Sequence, residues 1–179
     1  MRKITFVLLL ATFCLVFAGC GTSREKQPEA ALFKTFPEFK TVDTNDKPIS
    51  NDIFKQHDLT LVNVWGTYCL PCKDELPALE NLSKEMKAKN VNIIGIISDG
   101  KEQEVTAYRM MKEMKLTFTN VIPTDELMKQ LRKRLIGVPS SMFVNKKGEI
   151  VGELVTGART EEQYRMMLND LLQKEGVKQ

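Results

Sequence analysis

The chain has 179 residues, room for one ordinary domain and a short appendage. It is 42% hydrophobic and 27% charged, with 26 basic against 23 acidic residues; that is a globular composition with no charge excess calling for nucleic acid or another polyanion. Four cysteines, only two of them in a CxxC, and a single histidine, His57, exclude a four-ligand zinc ribbon built within one chain.

Residues 1–20 begin with the positive stub Met1-Arg2-Lys3, continue as an apolar run from Ile4 to Phe17, and end on the small residues Ala18 and Gly19 before Cys20. That order of charge, apolar run and small residues marks a secretory leader. At about 14 residues the run falls short of the ~20 that cross a bilayer as a helix. Phe17-Ala18-Gly19-Cys20 resembles a bacterial lipobox, with Phe17 where leucine is usual. The resemblance implies cleavage after residue 19 and lipidation of Cys20. A plain signal peptide and an uncleaved anchor remain alternatives, and all three export the rest of the chain. Without Arg2 and Lys3 the balance is 24 basic to 23 acidic residues. Residues 20–31 are polar and aperiodic and read as a flexible tether, reaching up to roughly 35–40 Å when extended. The folded domain is expected over 32–179.

Within that domain, Phe36 to Val42 reads as a strand entering a turn at Asn45-Asp46-Lys47, and Asp52 to Lys55 as a short helical turn. Leu59 to Trp65 is apolar and β-branched almost throughout, as in a strand covered on both faces. A helix over 70–88 places Leu76, Leu79, Leu82 and Met86 on one face. Val91 to Ile97 is a second buried strand. A helix over 101–115, a short strand over 117–122 and a helix over 125–135 follow. Strands over 139–144 and 149–155 flank the turn Asn145-Lys146-Lys147-Gly148. Thr160 caps a last helix whose apolar face holds Tyr164, Met167, Leu168 and Leu171. Alternating β and α elements closed by a hairpin and a helix specify an α/β fold, a mixed sheet with helices on both faces.

Cys69-Leu70-Pro71-Cys72 falls between a strand and a helix. A cysteine at a helix N-terminus meets unpaired backbone N–H groups and the positive end of the dipole. Both stabilise the thiolate and lower the thiol pKa from about 8.5. Two intervening residues let the thiols meet within one helical turn. Cys69, at the exposed turn, is the attacking thiol, and Cys72 resolves the mixed disulfide. Pro71 sits in the first turn, where its missing N–H costs little.

The stretch from Asn63 through Trp65-Gly66-Thr67-Tyr68-Cys69-Leu70-Pro71-Cys72 to Glu75 and Pro77 resembles the active-site segment of the thioredoxin superfamily, in particular the TlpA/ResA group of membrane-tethered extracytoplasmic members. Gly137-Val138-Pro139-Ser140-Ser141 and Lys147-Gly148-Glu149 are similar to its second signature. The likeness runs from about Phe36 to the last helix. It implies a thioredoxin-like fold with an N-terminal β extension and a central α/β insertion. It implies a cis-proline loop at Pro139, the plainer reading being a trans proline that opens a strand. It also implies substrate contacts at Trp65, Tyr68 and Val138, with core packing as the plain reading for Trp65. Pro77 matches a helix-kinking proline. Glu75 matches an acidic residue that tunes thiol ionisation; equally, it is an acid favoured early in a helix by the dipole. Asn63 departs from the aspartate that serves cytoplasmic thioredoxin as proton acceptor, so that role passes to Glu75, to water, or to nothing.

Other features have plain readings. Met110, Met111, Met114, Met166 and Met167 have core-filler spacing rather than a copper site. His57 reads as a surface residue, and Arg132-Lys133-Arg134 as a solvated helix end. The expected function is a protein-disulfide reductase outside the cytoplasmic membrane, needing no metal or cofactor. The resemblance implies a membrane thiol-relay electron donor and exported disulfide-containing substrates, such as apocytochrome c or methionine sulfoxide reductase. A monomer, held at the membrane by its lipid and without nucleic-acid partners, is the expected state. An oxidase with the same site, or a thiol-inert binding lipoprotein on the same scaffold, are the alternatives.

Overall fold

A computed structural model describes residues 34–177. The leader, Cys20 and the tether lie outside the described residues. Seven strands form one mixed sheet: β1 Lys40–Asp43, β2 Pro48–Ser50, β3 Leu59–Trp65, β4 Val91–Ile97, β5 Thr119–Ile122, β6 Ser140–Asn145 and β7 Ile150–Thr156, in the order β2-β1-β5-β4-β3-β6-β7. The two most apolar runs, β3 and β4, pair in parallel at the centre, and all seven residues of β3 are buried. β6 lies antiparallel on the other side of β3, with Asn63 opposite Ser141 and Val64 opposite Ser140.

Alternation along β3 sorts its side chains into two cores. Leu59, Leu61 and Trp65 face a layer that includes Leu76 and Leu79 of helix α1 (Leu70–Glu85) and Tyr164 and Leu168 of helix α4 (Glu161–Lys174). Helix α2 (Glu104–Glu113) adds Ala107, Met110 and Met111 to the same layer. Val62 and Val64 face Phe36, Phe39, Phe54 and residues of helix α3 (Asp125–Arg132), such as Leu127 and Leu131. This is a thioredoxin-like α/β fold. The β1–β2 hairpin is the N-terminal extension, joined to the sheet through β1 on β5, and α2 with β5 forms the inserted α/β unit.

Several boundaries differ from the sequence reading. β1 begins at Lys40 rather than Phe36, because Phe36 and Phe39 turn inward and meet Phe54 edge-on, with ring centroids 5.2–6.3 Å apart. α1 ends at Glu85 and continues as a 3-10 turn, Met86–Lys89, closed by Asn90 at φ 55°. α2 starts at Glu104 and α3 stops at Arg132, shorter than the spans 101–115 and 125–135. β2, three residues long, is too short to show a period. His57 is half-buried rather than on the surface, following a 3-10 helix over Asn51–Gln56.

Candidate active site

The site is built at the end of β3. After Trp65 the chain turns through Gly66 and Thr67, with the Cys69 N–H donating to the Gly66 carbonyl at 3.1 Å. Thr67 fastens this turn to the segment after β4: its Oγ1 donates to Asp99 Oδ2 at 2.6 Å, and its N–H to the same carboxylate at 3.1 Å. A Cβ at Gly66 would lie 2.8 Å from the Tyr68 ring and 2.9 Å from Ser98 Oγ, so a larger residue would displace those side chains.

Cys69 is the N-cap of α1. Its backbone is extended (φ −90°, ψ 104°), and its sulfur accepts the Cys72 N–H at 3.2 Å. The sulfur therefore occupies the place where a serine or aspartate oxygen caps a helix. The first turn contains no acidic residue to offset the positive end of the dipole. Cys69 and Cys72 are joined by a disulfide, with S–S 2.04 Å and Cα–Cα 5.3 Å. Cys69 is less exposed than a turn position implies, at 6%, because the turn folds it against the core; Cys72 is at 0%, so only Cys69 presents surface to an attacking thiolate. Around it the apolar side chains of Tyr68 and Leu70 stand out into solvent.

The Val138–Pro139 peptide bond is cis. The pairing Val64↔Ser140 puts Pro139 and Val138 just past the last ladder pair, at the end of the sheet where the Cys69 turn lies. The Pro139 carbonyl accepts the Gly157 N–H at 2.9 Å, and Ser140 Oγ donates to the Gly137 carbonyl at 2.7 Å. Tyr68 and Val138 line a common cavity of about 330 Å³ together with Ser98, Asp99, Leu135 and Ile136. Trp65 needs correction. Its side chain is wholly buried and its indole N–H donates to Asn120 Oδ1 at 2.9 Å, so it supports the site from beneath and offers no surface to a substrate. Gly95 permits that bond, since a Cβ there would collide with both partners.

Glu75 lies one turn after Cys72 and is 2% exposed. Its Oε1 accepts Asn63 Nδ2–H at 2.7 Å; its Oε2 accepts the Arg159 N–H at 3.0 Å and the Tyr164 hydroxyl at 3.1 Å. Burial pushes the carboxyl above the usual carboxylate range, and the hydrogen bonds from Arg159, Asn63 and Tyr164, with the Arg159 charge, pull the other way. Burial, with the Glu75 charge, also raises the Tyr164 phenol. Ser141 Oγ completes the group, 3.0 Å from Asn63 Nδ2 and 2.8 Å from Tyr164 Oη. Asn63 Oδ1 is buried with no partner among the described residues. Sequence reasoning singles out Asn63 and Glu75 but places Tyr164 only in the core and gives Ser141, Arg159 and Asp99 no role. Met110 and Met111 are buried in the core, whereas Met166 is exposed. Among the described residues no three or more His, Cys, Asp or Glu side chains are grouped to hold a metal.

Residues 33–168 match the family described as Redoxin. The chain belongs to the redoxin family, within the thioredoxin superfamily. The redoxin match is supported by full-length relatives. The thiol-disulfide oxidoreductase ResA of Bacillus thuringiensis subsp. konkukian (strain 97-27) is 30% identical over 95% of this chain and 96% of its own. The sporulation thiol-disulfide oxidoreductase A of Bacillus subtilis (strain 168) is 32% identical over 92% of this chain and 94% of its own. The crystal structure of StoA from Bacillus subtilis superposes with a TM-score of 0.63 at 28% identity, covering 76% of this chain and 99% of that one. This redoxin is a thiol–disulfide oxidoreductase, with Cys69 and Cys72 as its redox pair.

Proposed function

We propose that this redoxin reduces disulfides in exported proteins, working outside the cytoplasmic membrane from a lipid anchor on Cys20. The observation behind the chemistry is that, of the Cys69–Cys72 pair, Cys69 is the one that keeps some exposed surface, and its sulfur caps α1. In the dithiol form, the Cys69 thiolate attacks one sulfur of a substrate disulfide. A Cys69–substrate disulfide forms, and the displaced substrate thiolate takes up a proton. Cys72 then gives its proton to Glu75, attacks Cys69 Sγ, and expels the second substrate sulfur as thiolate. Two electrons pass from the pair to the substrate, leaving the Cys69–Cys72 disulfide, which a membrane thiol-relay donor reduces again.

Tyr68, Val138 and the cis-Pro139 loop form the surface on which an extended substrate segment lies beside Cys69. Apocytochrome c and methionine sulfoxide reductase are the exported substrates that the family likeness suggests. Export follows from the leader over residues 1–19, and anchoring from the lipobox likeness at Cys20. Incorporation of labelled fatty acid, abolished by Cys20→Ala, is the expected result; incorporation unchanged by that substitution removes the anchor.

The decisive experiment pairs two variants. Cys69→Ser is expected to abolish insulin reduction, and Cys72→Ser to accumulate substrates disulfide-linked to Cys69 that mass spectrometry identifies. Insulin reduction at the wild-type rate by Cys69→Ser defeats the reading. Direction is read from the equilibrium potential against glutathione. A value nearer about −270 mV than about −120 mV is expected of a reductase, and the reverse makes the protein an oxidase.

A further inference from the structure

Among the described residues, Glu75 is held by donors alone. Asn63 Nδ2–H reaches Oε1, while the Arg159 N–H and the Tyr164 hydroxyl both reach Oε2. That arrangement suits a carboxylate. A carboxylic acid has a hydrogen of its own to place and needs an acceptor. Oε2 already takes two donors, so an added proton goes to Oε1, where it would confront the Asn63 N–H. The one acceptor within that pair is Asn63 Oδ1, which is wholly buried and without a partner among the described residues.

We propose that the Asn63 side-chain amide turns over when Glu75 gains a proton, so that the two groups remain hydrogen-bonded in both protonation states. This rests on the reading of Glu75 as proton acceptor for Cys72. The terminal torsion of an asparagine is broad and two-fold, so a half-turn exchanges oxygen and nitrogen without leaving a favourable rotamer. Oδ1 gives up no bond on turning, and the two that Nδ2–H makes, to Glu75 Oε1 and Ser141 Oγ, are replaced by bonds accepted at Oδ1. In its new place it accepts the Glu75 O–H and faces Ser141 Oγ; because Tyr164 gives its one hydrogen to Glu75, the Ser141 hydroxyl is the donor between that pair, and it swings from Tyr164 Oη to Asn63 Oδ1. The Tyr164 and Arg159 donors stay on Oε2. One end of the amide is unpartnered before and after, the oxygen in the first state and the nitrogen in the second. Aspartate at this position would set a second carboxylate against Glu75, and an aliphatic side chain would serve neither state. The amide therefore makes Asn63 a positioning residue for a buried carboxyl that takes up and releases a proton in each cycle.

Among the described residues the groups bonded to Glu75 are Asn63 from β3, Arg159 from the loop before α4 and Tyr164 from α4; Ser141 of β6 is linked to it through Asn63 and Tyr164, and Cys72 precedes it by one turn of α1. In the oxidised protein Cys72 does not titrate, so a pH series on that form isolates the carboxyl. The test is NMR of the oxidised full chain with labelled Glu and Asn. Nuclear Overhauser contacts from the Asn63 amide protons to the Ser141 β protons are expected at high pH and to be lost on acidification, with the midpoint of the Glu75 carboxyl. In Glu75→Gln they should no longer change with pH. Contacts that persist through the Glu75 midpoint, or change equally in Glu75→Gln, overturn the proposal. Asn63→Asp is the second arm: the Glu75 midpoint moves up and the resolving step, in which Cys72 displaces substrate from Cys69, slows about tenfold. An unchanged midpoint in that folded variant also overturns it. If the amide turns over as described yet Glu75→Gln releases substrate at the wild-type rate, the reversal stands and the proton-acceptor reading falls.

Discussion

At Glu75 two demands meet in one side chain. Burial raises its affinity for a proton, while three donors together with the Arg159 charge oppose that rise without cancelling it. The same shift has a consequence for stability. The folded chain binds this proton more tightly than the unfolded chain, whose carboxyl has its ordinary value of 4.5. The stability Glu75 contributes is therefore full below that value and is lost as pH rises through the folded-state value. Glu75→Gln is expected to flatten that fall, gaining on the wild type as pH climbs from 4.5 through the folded-state value, and to slow the resolving step by about 10²-fold, the lower end of general acid–base contributions. Urea midpoints across pH and stopped-flow decay of the Cys69–substrate disulfide in a single turnover check the two halves separately. A variant whose midpoints run parallel to the wild type at every pH shows that Glu75 titrates alike in both states.

Elements hold these residues in place. Thr160 begins α4 with a full capping box, accepting the Gln163 N–H while the Gln163 side chain accepts its own. That helix start fixes Tyr164 one turn later. Thr160→Ala should lower global stability by about 1 kcal/mol, measured as a fall in the urea midpoint at constant slope; no change would mean that packing alone positions the helix. β3 and β4 were legible because both are largely apolar runs rich in β-branched residues, as expected of strands buried on two faces. The Cys69–Cys72 pair and the proline at 139 were legible because spacing and order are local. The cradle of Glu75 was not: Arg159 is 84 and Tyr164 89 positions from it along the chain, and a tyrosine on an apolar helix face looks the same whether or not its hydroxyl has a task. Trp65 misled for a related reason, since an indole next to the motif gives no sign of which face of the sheet it enters. Helix ends at Glu104 and Arg132 were missed where polar residues continue a helical composition past the last packed turn.

Across the whole molecule, the two cores divide the labour. The layer on the α1 side holds both cysteines, while the opposite layer is closed by Phe36, Phe39 and Phe54 from the N-terminal arm. Phe54→Ala is expected to cost roughly 3–5 kcal/mol of stability without shifting the redox potential of the pair, because it empties the far side of the sheet. A shifted potential in that variant would show that the two layers are coupled. The same separation leaves the start of α1 free to act on Cys69. Its sulfur stands where a capping oxygen stands in other helices, with no acidic residue in the first turn to blunt the dipole. The most direct measurement is titration of the reduced protein, following Cys69 by thiolate absorbance and by its rate of alkylation in Cys72→Ser. A midpoint well below the ordinary thiol value of about 8.5 is predicted; a midpoint at or above it would contradict the account of how this site works.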